Sequence, residues 1–187
     1  EAGTGYIKMT WKTDEILKEM ATVSVKNKSE VPGFGGFYWQ YLEDRDKIKT
    51  SQASVMNVEK ELYLKATTSN GDQLQIITST KPLKIGDLVT VRLVITAKED
   101  MEFVHLKDMR ASCFEPIDVL SGNNYKDGLR FYKSTKDVAT HFFFDQIKTG
   151  TYVLEYDIRV NNLGDFSNGI TTIQSMYAPE FSSHTKG

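Results

Sequence analysis

A single cysteine, Cys113, stands in 187 residues. One thiol excludes an intrachain disulfide and leaves the redox compartment undefined. Proline is scarce as well, and Pro32, Pro82, Pro116 and Pro179 fall outside the clearest strand centres, where a missing N–H costs least. No excess of one charge is present: 23 Lys and Arg stand against 25 Asp and Glu, for a formal net charge of −2. No five like charges run together, so neither a nucleic-acid patch nor a polybasic membrane anchor is suggested. No apolar run approaches the ~20 residues of a membrane-spanning helix.

What is present is a period of two. In "VTVRLVITA" Val89, Val91, Leu93, Ile95 and Ala97 alternate with Thr90, Arg92, Val94 and Thr96. In "TYVLEYDIRV" Tyr152, Leu154, Tyr156, Ile158 and Val160 alternate with Thr151, Val153, Glu155, Asp157 and Arg159. Successive strand side chains point to opposite faces, so each segment has one face for a core and one mostly for water. Weaker alternation at 6–11, 61–68, 73–79, 138–145 and 170–177 extends the pattern, and the fold class is all-β, an antiparallel β-sandwich. Asn70-Gly71 favours a type I′ hairpin, and "IKTG" (147–150) predicts a second hairpin turn. The only helical signals lie in "TDEILKEM" (13–20), with Thr13 as N-cap.

Alternation lapses across "RDKIKTSQASVMN" (45–57). Beyond it, about eight strands fit one sandwich. Before it the pattern predicts three strands, at 5–12, 21–27 and 34–43, too few for an independent core. That part either packs on the rest or lacks its other half. The opening "EAGTGYIKM" has no initiator Met and no signal-peptide pattern, which suggests a piece of something longer.

The candidate chemistry is thin. Cys113 has Arg110 and Glu115 as neighbours, but a nucleophilic thiolate needs a base and a lowered pKa. It reads as a small buried side chain. His105, His141 and His184 show no metal-ligand spacing, and "GFGGF" (33–37) lacks the lysine and helix of a phosphate loop. Those glycines read instead as room for a bulge or close packing beside Trp39. Asn27-Lys28-Ser29 is a sequon that matters only in a eukaryotic secretory setting. The aromatic runs "FYWQY" (37–41) and "HFFFD" (141–145) read as core packing, with a sugar-stacking face as the alternative. No catalytic, cofactor-binding or metal-binding residue is assigned.

Four segments in order resemble the C-terminal end of bacterial alpha-2-macroglobulin family proteins. They are "FGGFYWQYLED" (34–44), "LKIGDLVTVRLVITAKEDMEFVHLKDMRASCFEP" (83–116), "DVATHFFFDQIKTGTYVLEYDIRV" (137–160) and "TIQSMYAPEF" (172–181). The closing Met176, Tyr177, Pro179 and Glu180 are similar to the family's usual finish. The resemblance implies that 1–50 is the trailing part of a CUB-like β domain, 51–57 a linker and 58–187 the last macroglobulin-like sandwich, equivalent in position to the receptor-binding domain. It implies a non-catalytic part of a large protease-trapping inhibitor, extracytoplasmic (periplasm, outer membrane or cell surface). Its partners would be proteases and the other domains of the parent chain, with no cofactor, nucleic acid or small-molecule substrate. Family members trap proteases by bait cleavage and often by a Cys–Gln thioester. Cys113, in "ASCFEP", lacks the Glu-Gln partner of that motif. The rival reading is a free-standing surface module that binds a glycan or a protein, favoured if Phe37, Trp39 and Tyr41 are all exposed. An enzyme requires His105 or His141 against Cys113 or a carboxylate.

Overall fold

The computed structural model describes residues 5–52, 55–69, 71–78 and 80–187, in two units, Glu1–Tyr41 and Leu42–Gly187. Residues 5–50 contain no strand, so the segments expected at 5–12, 21–27 and 34–43 are corrected to chain outside any sheet. Alternation alone does not make a strand; the backbone N–H and C=O groups need a neighbouring ladder. The helical signals at 13–20 give two 3-10 turns, Thr13–Glu15 and Lys18–Ala21, and Thr13 opens the first rather than capping it. The N-cap is Lys12, whose N–H donates to Glu15 Oε2 at 2.7 Å. So short a segment cannot repay helix nucleation without a core to pack on. The "FYWQY" rings are also corrected: Phe37, Tyr38, Trp39 and Tyr41 are all exposed.

The second unit holds eleven strands among its described residues. In chain order they are β1 (Met56–Thr68), β2 (Gly71–Ile76), β3 (Leu88–Ala97), β4 (Met101–Met109), β5 (Phe114–Pro116) and β6 (Gly122–Lys126). Then follow β7 (Leu129–Thr135), β8 (Ala139–Ile147), β9 (Gly150–Val160), β10 (Thr171–Ser175) and β11 (Ser182–His184). They form two antiparallel sheets, ordered β2-β1-β3-β9-β5 and β11-β10-β4-β8-β7-β6. The excess over the eight expected comes from short strands such as β5 and β11.

The apolar phase of the alternation is the buried phase. Val89, Val91, Leu93, Ile95 and Ala97 of β3 meet Val104, Leu106, Phe142, Phe144 and Ile173 of the other sheet in one core. In "HFFFD" only Phe142 and Phe144 are buried, because the pleat turns His141 and Phe143 outward.

The connections refine the turn expectations. Asn70 lies outside the described residues; Gly71 has φ 104°. "IKTG" is not a hairpin, because β8 and β9 lie in different sheets. It is a corner that crosses the sandwich beside the β3–β4 corner. Asp100 ties the two corners together, accepting from Lys148 Nζ at 2.8 Å and from the Thr149 N–H at 2.9 Å. Strands from different sheets have no shared ladder, so sequence proximity alone did not make them partners.

Candidate interaction surface

Cys113 is buried in the β4–β5 connection, where its carbonyl accepts from the Asn161 N–H at 2.7 Å. Burial raises its thiol pKa, the opposite of what a nucleophile needs. Its charged sequence neighbours are engaged elsewhere. Arg110 donates to the Lys136 carbonyl and the Thr140 hydroxyl, and Glu115 accepts from Asn161 Nδ2.

His105 and His141 come together although they are 36 residues apart. β4 and β8 pair so that His105 faces Phe143 and Lys107 faces His141. His105 Nε2 and His141 Nδ1 stand 2.9 Å apart, with ring planes within 1°. A centroid separation of 5.1 Å is that of two rings joined edge to edge in one plane by a single N–H···N bond. Phe143 lies parallel to His105 at 4.7 Å. Burial, and then the neighbouring cations, lower both pKa values. His184 is apart from this pair, on β11, with Nδ1 3.1 Å from the Thr185 carbonyl. Among the described residues no group of three or more His, Cys, Asp or Glu side chains is placed to hold a metal ion.

Between the sheets lies a polar cluster that the alternation hid. Lys60 of β1 donates to Asp108 Oδ1 at 2.7 Å, to the Met109 carbonyl at 2.7 Å and to the Gly169 carbonyl at 3.2 Å. Asp108 also accepts from Thr171 Oγ1 at 2.6 Å and from the Tyr156 hydroxyl. Burial and the Asp108 charge push the Tyr156 phenol well above its ordinary pKa. All three ammonium protons are used, so the cluster is a satisfied inter-sheet clasp with no free reactive group. Sequence gave one signal for it: Asp108 sits at a core-facing position of an otherwise apolar strand phase.

The feature that faces outward is an apolar patch at one end of the six-stranded sheet. Phe103 interrupts β4 with φ 50°, a left-handed conformation that costs a bulky residue energy. Its carbonyl accepts from the Met176 N–H at 2.8 Å. The Tyr177 ring meets the Phe103 ring edge-on at 5.2 Å. The turn that presents them is closed by Phe181 N–H to the Ala178 carbonyl at 2.9 Å and Ser175 N–H to the Phe181 carbonyl at 3.1 Å. Phe103, Met176 and Tyr177 remain 46%, 55% and 79% exposed. Their neighbours Glu102, Asp145 and Glu180 are exposed too, giving the patch an acidic rim. A folded turn that spends backbone strain to hold apolar rings in water has the character of a contact surface.

Residues 56–180 match the family described as the bacterial alpha-2-macroglobulin MG10 domain. No curated protein sequence matches the chain. Among solved structures, Salmonella alpha-2-macroglobulin reacted with methylamine aligns with 74% of this chain at 17% identity and a TM-score of 0.58. Trypsin-activated Escherichia coli alpha-2-macroglobulin aligns with 74% at 14% identity and a TM-score of 0.57. The native E. coli protein from domain MG7 to the C-terminus gives 15% identity over 74%, with a TM-score of 0.57. At these identities the structures show a shared fold. The chain spans only 9%, 10% and 23% of those three chains.

Proposed function

The chain belongs to the family of bacterial alpha-2-macroglobulin MG10 domains, and from that premise we propose that it is a non-catalytic portion of a large protease-trapping inhibitor. Its role is to pack against the other domains of the parent chain and help hold the untriggered state. The Phe103–Met176–Tyr177 patch carries this reading, since it is an ordered apolar surface with no partner among the described residues of its own unit. The short span relative to the matched structures leaves ample chain to supply that partner. In the same proposal residues 1–50 are the trailing part of a CUB-like domain, 51–57 a linker and 58–187 the sandwich. The alternating segments in 5–41, which join no sheet among the described residues, fit a domain completed by chain from elsewhere. The location is extracytoplasmic, where target proteases are met.

A second reading has its own observation. Phe37, Trp39 and Tyr41 are all exposed, the condition set for a free-standing binding module. Their neighbours Tyr38 and Leu42 are exposed as well, so the segment presents every side chain rather than a selected face. That is the signature of unpaired chain rather than of a binding face.

An immunoblot of source cells with an antibody against this chain separates the two readings. The inhibitor reading predicts a band many times larger than 21.2 kDa that falls to discrete fragments when a protease is added. A band at the size of this chain alone overturns it and favours the free-standing module.

A further inference from the structure

The edge of the five-stranded sheet is only partly closed. β5 pairs with β9 at Ile158–Val160 and goes no further. Val160 N–H points to β3 and bonds the Asp87 carbonyl at 3.0 Å, whereas Asn161 N–H points the other way, to the Cys113 carbonyl at 2.7 Å. In an antiparallel strand these directions alternate. The main-chain N–H and C=O groups of Val153 and Glu155, and the N–H of Asp157, therefore face the open side. Among the described residues they have no main-chain partner.

That edge borders a cleft of about 410 Å³ between β9 and the β6–β7 hairpin. Its lining includes Phe131, Phe142 and Leu154, side chains otherwise buried in the core. Its rim holds the exposed Tyr125. Most charged groups at the cleft are already paired: Glu155 with Arg92 at 2.7 Å, Asp157 with Lys65 at 2.9 Å and Asp118 with Lys133 at 2.7 Å. Lys126 has no ion-pair partner among the described residues.

We infer that this slot binds an extended peptide segment, added to β9 as a strand in line with β5. An unpaired ladder selects for polypeptide backbone. The slot continues an interface that the chain already makes, because β5 occupies the adjoining stretch of the same edge. From Thr151 to Asp157 it is roughly 20 Å long at ~3.3 Å per residue, room for a peptide of six or seven residues. The apolar lining asks for alternating apolar side chains, and Lys126 for one carboxylate beside them. This inference is independent of the proposed function, because it concerns a different surface and any extended peptide of that chemistry.

The probe is a random-peptide phage library selected on the immobilised full chain, with the enriched peptides then synthesised. The expected peptides alternate apolar residues and include an acid. They slow amide exchange at Val153, Glu155 and Asp157, and they bind V153P and K126E about tenfold more weakly, as the loss of a ladder hydrogen bond and a charge contact requires. Proline at 153 removes only an outward N–H, which an edge position tolerates. The exchange pattern on the unaltered chain decides the matter if V153P fails to fold. No enrichment, protection confined to other amides, or equal binding to both variants overturns the inference. So does concentration-dependent protection of this edge without peptide, which would identify a second copy as the occupant.

Discussion

Asp108 is the residue whose environment departs most from what its type predicts. An aspartate that is 0% exposed, on a strand phase otherwise given to Val104 and Leu106, survives there only because Lys60, Thr171 and Tyr156 all donate to it. Such a pair contributes little net stability, since desolvating both ions offsets most of their attraction. Removing one partner is a different matter. Asp108→Ala strands the Lys60 ammonium in the core and is expected to cost about 3–5 kcal/mol. Urea denaturation reads this directly. The double variant Lys60→Met/Asp108→Leu is expected to lose far less than either charge-stranding change alone. Equal losses in the single and double variants would show that the clasp stabilises through attraction rather than through mutual satisfaction. Cys113 gives the contrasting lesson, since its buried, raised-pKa thiol is what a lone cysteine in a β-rich sequence suggests.

Pairing between β4 and β8 created a histidine pair whose titration bears on stability. β4 and β8 bring His105 and His141 into a shared N–H···N bond, faced by Phe143 and near Lys107, Lys136 and Arg110. Burial, with the cations behind it, lowers both folded pKa values below the unfolded value of about 6.5. Between those values the unfolded chain holds more protons than the native one. The stability these residues contribute is thus fully present above about pH 6.5 and is lost as pH falls toward the folded pKa values. The urea midpoint should decline from pH 7 to 5, and His105→Gln/His141→Gln should flatten that decline. An unchanged slope in the double variant would mean that carboxylates alone set it. At the same scale, the Asp127-Gly128 turn, with φ of 51° and 83°, joins β6 to β7 and was present in the sequence as an Asp-Gly signal. It was missed because the flanking "GNNYK" carries no apolar alternation to mark a strand.

The described residues divide into a two-sheet sandwich and a stretch of chain without strands. Ladder hydrogen bonds and a shared core hold the sandwich within Leu42–Gly187 together; 5–41 forms no strand, and most of its large apolar side chains are exposed. Local opening is cheapest where few groups are buried. Limited trypsin digestion should therefore cut first at Lys8, Lys12, Lys18, Lys26 or Lys28 and leave a resistant core carrying the sandwich. A chain of residues 42–187 should unfold at the same urea midpoint as the full chain. A lower midpoint would show that 1–41 stabilises the sandwich. A resistant core that retains residue 28 would show that 5–41 is protected in solution.

Sequence by itself determined the fold class and the core phase, because side-chain alternation is a local property that burial converts directly into an inside and an outside. It also determined the family, through segments whose order spans most of the chain. Only the tertiary structure decided which strands share a sheet, that "IKTG" turns a corner rather than closing a hairpin, and that the first alternating segments have no ladder to join. The same holds for Lys60 with Asp108, for His105 with His141 and for Phe103 with Tyr177. Each of those pairs depends on strand register between segments far apart in the chain, and a hydrophobic pattern fixes which face a residue takes without fixing which residue it meets there.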